Sequence, residues 1–550
     1  MRDTSTSRGN RLVKKPALRF ALIALTFSAA FNCVETADAR LPQNLISTFN
    51  PIPQGHTGDR FGSAIAVNEE TVVVGLPGHD SISGLDTGAV QVFYGTATPG
   101  FFNCVQILQT IGGVLLPAPA DNCGNCVAIS PNWIVAGSPN WDNPGPPIIY
   151  NAGAVFIWRK IGPNLWDPIP KGVLHTNPYE QDRFGTSVAL QEQLINGENI
   201  QTLAVGAPSD GLGNGSTQGA YANRGSVSLY RYSNILQAWT LNGFIPAIGV
   251  PQIPPIPPIQ PALLANGYFG VSVAISGDFM LIGAHRQSST VSKQGTAFLF
   301  KRGTFVPPDT TDANKLWGEW HFVQALVSPS PKVDDQFGWS VSITLWNIII
   351  GAPAGIAGSP TEKGSATIWK LDPSSLPPAT HLNRISGENP GDQFGYSVLI
   401  KSQIALIGAV GVDTGAVSNT GRIYEYIRYS NACNQWTITQ PILPPAIANI
   451  PNSGFGTSLE LGYNCVLISA PNGNNQALNQ GVTFAFDTPE PIAPCDSDLN
   501  GDGGTNSTDL SILLSNWGNF GEGDINGDGI VDGQDLLYVV SNWGACICGG

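Results

Sequence analysis

Two stretches near the C-terminus carry oxygen donors at the spacing a hard divalent cation requires. Asp498, Asn500 and Asp502 occupy alternate positions and are followed by Gly503 for a sharp turn; 26 residues later the order returns as Asp524, Asn526, Asp528 and Gly529. Counting from each first Asp, position 7 offers a backbone carbonyl at Gly504 and Ile530. Position 9 offers Asn506 and Asp532, and position 12 a carboxylate at Asp509 and Asp535. Such loops suit Ca2+, which takes six to eight oxygens in a flexible shell, better than Mg2+, which holds its water and demands octahedral geometry. The expected cofactor is therefore two Ca2+ ions. An ordinary acidic turn is the bland alternative, and an in-phase duplication argues against it.

Other reactive side chains are scattered. Asp59, Asp121, Asp182, Asp335 and Asp392 each stand two residues before a recurring Phe-Gly or Cys-Gly pair. General acid–base chemistry needs its groups once, so carboxylates that recur in five of the seven copies are expected to hold turns. His79-Asp80 and His285-Arg286 do not recur and are candidates for a ligand-facing rim. Cys123-Gly124-Asn125-Cys126 has the spacing of a redox pair or zinc half-site but lacks a second pair or nearby His. No HExxH, nucleophile elbow, Walker loop or dinucleotide fingerprint is present. No catalytic or organic-cofactor-binding residue is assigned.

The elements that would position these groups are of two kinds. Each acidic loop runs into one apolar helix, Leu510 to Trp517 or Leu536 to Trp543, with no incoming helix. Leu510, Leu513, Leu514, Leu536, Leu537 and Val540 are the expected small core. The rest of the chain is a repeat of about 60 residues, starting at Phe61, Cys123, Phe184, Phe269, Phe337, Phe394 and Phe455, each followed by Gly. A short alternating run follows each start. Next come an apolar run closed by a small-residue turn such as Gly206-Ala207-Pro208, a third run opening on Gly, as at Gly88 or Gly364, and a less regular fourth run. Four short strands in seven copies describe an all-β, seven-bladed β-propeller over residues 40–487, followed by a small α-helical calcium-loop domain over 495–550. Pro489 and Pro491 cut off the last copy before its fourth strand, and Leu45 to Phe49 is expected to supply it.

The Phe-Gly starts and Gly-Ala-Pro turns resemble the FG-GAP repeats of the integrin α-subunit propeller and its bacterial relatives. That family often carries Asp-rich calcium loops between the first two strands of a blade. Here the corresponding connections, such as Asn68-Glu69-Glu70 and Ser276-Gly277-Asp278, are too short, so propeller calcium is not carried over. The duplicated loop-plus-helix ending resembles a type I dockerin, an EF-hand-like module that docks onto cohesin domains. The resemblance implies a cohesin-like partner. Ser507-Thr508 matches the family's partner-selecting pair, whereas Gly533-Gln534 departs from it.

Composition and charge bound the function. The 64 Gly and 43 Pro among 550 residues exclude long helices, and 42% hydrophobic residues with only 12% charged ones describe a packed chain rather than a disordered one. A net charge of −14 argues against nucleic acid. Residues 1–39 read as a signal peptide: a basic region with Arg8, Arg11, Lys14, Lys15 and Arg19, an apolar run from Phe20 to Phe31 too short to span a bilayer, and a small-x-small site at Ala37-Asp38-Ala39. Removing it leaves eight of the nine cysteines, an even number that fits disulfides in an oxidising compartment. Cys495 with Cys546 or Cys548, and Cys433 with Cys465, are the expected pairs. Residues 488–494 form a Pro-rich linker, and the Pro-rich stretch from Ile245 to Pro261 is expected to be a surface loop. The leading function is a secreted, extracellular or cell-surface, non-catalytic binding or adhesion protein. Its propeller would take a protein or polysaccharide ligand, with no membrane span in the mature form. The alternative is an extracellular polysaccharide-processing hydrolase or lyase carrying the docking module.

Overall fold

The computed structural model describes residues 44–545 except 53–54, 82–83, 97, 99, 111–119, 196–197, 212–221, 247–264, 304–319, 355–361, 373–374, 402–403, 429–435, 463–464, 475–476, 488–496, 498, 500–503, 519–522, 524 and 526–530. The leader and the linker, most of the Pro-rich stretch, and Cys433, Cys495, Cys546 and Cys548 lie outside the described residues. So do loop residues Asp498, Asn500, Asp502, Asp524, Asn526, Asp528 and Ile530.

Within each repeat, short antiparallel strands pair in sequence order. Blade 1 is Ile65–Asn68, Thr71–Leu76, Ala89–Gly95 and Phe102–Leu108. Blades 2 to 6 follow over 126–174, 187–246, 269–326, 340–386 and 394–438. Blade 7 takes Leu459–Gly462, Cys465–Ala470 and Val482–Asp487 from the end of the repeat. Its fourth strand is Leu45–Phe49, paired antiparallel to Val482–Asp487. The ring therefore closes as the truncated last copy requires, and the protein is an all-β seven-bladed propeller with two short helices among the described residues.

The core lies between blades rather than at one centre. Successive side chains of a strand point to opposite faces, so Val73 packs toward blade 2 while Val72 and Val74 pack toward blade 7. Seven apolar clusters result, one per blade interface. Phe61, Phe184, Phe269, Phe337, Phe394 and Phe455, with Cys123, are the buried wedges at the unit starts. Complete burial of such a ring stabilises by about 1.5–3 kcal/mol.

Six of the seven wedges are bridged by a neighbour's backbone, the Gly opening the third strand of one blade pairing with the start of the next, from Gly88 with Cys123 round to Gly481 with Phe61; at Phe455 the corresponding Gly421 makes the same close approach. At Gly88, φ is +82° and an added Cβ would stand 2.1 Å from the Cys123 carbonyl oxygen, so no other residue fits. In blades 1, 3, 4 and 5 the fourth strand carries one extra residue opposite the third, at Val105, Asn242, Val323 and Leu382. Such bulges increase the twist of an outer edge; they are absent from the sequence pattern.

Two expectations change. Ile245 and Pro246 complete the fourth strand of blade 3 rather than beginning a loop. Cys465 is a buried free thiol, and Cys104, Cys123 and Cys126 are free as well, so no disulfide is formed among the described residues. Cys465 lies on an inner strand with its thiol directed to the Gly462 carbonyl 3.2 Å away. Cys123 takes the place of the Phe at the other unit starts, and Cys126 takes the place of Ser187, Ser272, Ser340 and Ser397, its thiol directed to the Gly185 carbonyl as those hydroxyls are to the Gly carbonyl of the next blade. No helix among the described residues is long and apolar enough to cross a membrane.

Candidate functional site

Antiparallel pairing within a blade brings the turn entering the first strand to the same end as the turn leaving the second. In blade 1 the pairing of Ile65 with Val74 places the turn before Phe61 beside the turn after Leu76. The recurring Asp shapes the first of these. Asp59 accepts a hydrogen bond from the His56 backbone N–H at 2.7 Å, as Asp182 accepts from Tyr179 and Asp392 from Asn389, so the repeated carboxylates are turn-formers. Gly78 latches the two turns, its N–H donating to the Asp59 carbonyl at 3.1 Å; an added Cβ would meet the Gly58 carbonyl oxygen at 1.9 Å.

That latch gathers three donors seldom found together. His79 Nδ1 lies 3.6 Å from Asp59 Oδ1, and His56 Nδ1 lies 4.0 Å from Asp59 Oδ2. The three ligand atoms all fall within 4.8 Å of one another. Asp59 is 1% exposed and His79 13%, whereas His56 is 65% exposed. Asp59 Oδ1 and His79 Nδ1 are buried without a hydrogen-bond partner. The sequence singled out His79 but not His56. Aligning the copies would have shown that blade 1 alone has a His both three residues before the recurring Asp and four after the Gly of the small-residue turn.

Blade 3 builds a second group on the same plan. His175 Nδ1 lies 3.8 Å from Asp182 Oδ2, and its Nε2 lies 3.7 Å from Asp210 Oδ2, with all three side chains buried. Burial first, and the Asp210 charge second, push the Asp182 carboxyl up to about 8. His285, expected at a rim, is instead wedged between Tyr268 and Trp339, with ring centroids at 5.3 and 5.1 Å. Burial and then Arg286 hold its imidazole down to about 3, so it packs as a neutral ring. Burial raises the Cys126 thiol to about 12 and Cys123 further still, which keeps both protonated and unsuited to redox chemistry.

The two C-terminal loops lead into helices α1 (Ser507–Ser515) and α2 (Gly533–Ser541). Both begin at loop position 10 and end before Trp-Gly, earlier at each end than the apolar runs implied. The reason is the capping box. Asn506 and Asp532 are the N-caps, accepting from the Thr508 and Gln534 N–H groups, so position 9 is engaged with its own helix. Asp509 and Asp535 return hydrogen bonds from the cap backbones at 2.8 Å and are fully buried. Asp535 also accepts from the Ile525 N–H at 2.7 Å, tying the start of its loop to the start of its helix. Gly504 and Thr505 pair with Ala545 and Gly544 in a short ladder. Of the expected core, Leu513 is buried and Leu510 and Leu536 pack against it, joined by Val531, Val539, Leu499 and Ile525. Leu514, Leu537 and Val540 instead face outward, beside exposed Trp517, Tyr538 and Trp543.

The FG-GAP repeat family matches this chain at residues 53–93 and 264–300, within blades 1 and 4. The protein thus carries FG-GAP repeats on a seven-bladed propeller. No curated protein matches the chain. Among solved structures, the periplasmic gluconolactonase PpgL of Pseudomonas aeruginosa is similar at 12% identity with a TM-score of 0.42, over 71% of this chain and 86% of that one.

Proposed function

We propose that this is a secreted, non-catalytic binding or adhesion protein in which residues 1–39 direct export. The loop-bearing face of the propeller over residues 40–487 takes an extracellular protein or polysaccharide. The C-terminal unit over 495–550, joined by the linker at 488–494, is a dockerin-like module folded by two Ca2+ ions, with a cohesin-like domain as its partner. The observation that carries this reading is the pair of matching capping boxes. Each helix carries in its first turn a buried position-12 carboxylate, Asp509 or Asp535, and presents outward apolar side chains that a docking partner would cover. The proposed ligands are Asp498, Asn500, Asp502, Gly504, Asn506 and Asp509 in one loop and Asp524, Asn526, Asp528, Ile530, Asp532 and Asp535 in the other, with Asn506 and Asp532 acting through water. The test is a pull-down of the secreted full chain on cohesin domains and on a glycan array, with Ca2+ and with chelator. Retention only with Ca2+ supports the module's role. Equal retention in chelator, or none on any cohesin or glycan, opposes it.

A polysaccharide-processing enzyme is the second reading, favoured by His175, which has no counterpart at the same place in the other repeats and lies between Asp182 and Asp210 at the loop end of blade 3. Release of reducing sugar from polysaccharides, abolished by His175→Ala, would establish it in place of the first.

A further inference from the structure

We infer that His56, Asp59 and His79 form a binding site for one zinc-class divalent cation on the loop end of blade 1. The site is separate from the proposed calcium loops and chemically unlike them.

The argument begins with what the pair of turns leaves unsatisfied. Asp59 Oδ2 already accepts the His56 N–H, but Oδ1 is buried, has no hydrogen-bond partner, and faces a His79 Nδ1 that also has none. Their separation of 3.6 Å is too long for an N–H···O hydrogen bond. It is close to the distance of about 3.4 Å between two ligands of a tetrahedral zinc, given bonds of about 2.0–2.2 Å to nitrogen and oxygen. Leaving two buried polar atoms facing each other unpaired costs stability, and one cation would satisfy both. His56 supplies the third donor. Its ring is mostly exposed, with the three donor atoms all within 4.8 Å of one another, so a rotation of this surface side chain would bring its nitrogen to bonding distance without disturbing the core.

Donor chemistry selects the metal. Two imidazole nitrogens and one carboxylate suit zinc and its first-row neighbours, whereas Ca2+ wants six or more oxygens. Rigidity comes from the Gly78 latch, which fixes the Asp59 and His79 turns against each other. Three protein ligands leave one coordination position, and the exposed His56 puts it on the solvent side, open to water or to an oxygen of a bound ligand. In blade 3, Tyr179 replaces His56 and Asp210 replaces His79, and a single imidazole, His175, lies between Asp182 and Asp210, so the structural turn recurs with one ring in place of two.

The test uses the chelator-stripped full chain in excess Ca2+, which fills any hard oxygen site, titrated with Zn2+ by calorimetry and with Co2+ by visible absorption. One Zn2+ per chain is expected, with a tetrahedral Co2+ spectrum. Loss of a ligand should weaken binding at least as much as loss of a supporting residue does, by about 100-fold in His79→Ala and His56→Ala. His56→Ala removes an exposed ring, so an unchanged thermal melt separates lost binding from lost folding. Absence of Zn2+ uptake at tens of micromolar, or equal uptake by the parent and both variants, overturns the assignment.

Discussion

Individual residues in this fold are constrained mainly by backbone contact and by burial of charge, and both can be tested. Gly88→Ala would force a Cβ against the Cys123 carbonyl at positive φ, so it should destabilise the propeller by at least about 2 kcal/mol, read from denaturant unfolding. At Asp182 the sign follows from its folded-state value of about 8, above the unfolded value of about 3.9. The native state holds the proton more tightly, so stability should fall as pH rises from about 4 to about 8 and level off beyond. His175 and Asp210 face this carboxyl. Asp182→Asn keeps an acceptor for the Tyr179 N–H and should flatten the melting temperature over that range; an unchanged slope would refute the assignment. The repeated aspartates were legible as turn-formers because recurrence itself argues against catalysis. The meeting of His56 with His79 was not, because residues more than 20 apart in sequence come together only through a hairpin and the Gly78 latch.

At the scale of elements, the seven Phe-Gly or Cys-Gly starts disclosed the blades because each marks a close backbone approach of a Gly from the preceding blade, a β-bridge at six of the seven interfaces. The missing last strand disclosed the closure by Leu45–Phe49. Deleting residues 40–50 should expose the edge of Val482–Asp487 and lower the melting temperature of the whole propeller; an unchanged melt would contradict the closure. The phase of the two helices was less legible, since Leu513-Leu514 and Val539-Val540 are apolar pairs and periodicity alone does not choose between neighbours. The capping boxes choose, turning Leu513 and Val539 inward and Leu514 and Val540 outward. Leu513→Ala should therefore cost about 2–5 kcal/mol of module stability. Leu537→Ala, at a side chain 67% exposed, should stay within about 0.5 kcal/mol, with far-UV melts in saturating Ca2+ as the readout.

For the whole molecule, the proposed division of labour joins a ring closed at all seven interfaces to an acidic C-terminal unit. The ring owes its stability to apolar packing between blades. Residues 495–550 hold nine acids and no Lys or Arg; without cations the carboxylates gathered in each loop repel one another. Calcium should thus act on the module while leaving the propeller's melt unchanged. The most direct test is calorimetric titration of the chelator-stripped full chain with Ca2+. The account predicts two ions per chain, with Asp509→Ala and Asp535→Ala each leaving one. Absence of uptake at millimolar Ca2+, or two ions still bound in both variants, would contradict it.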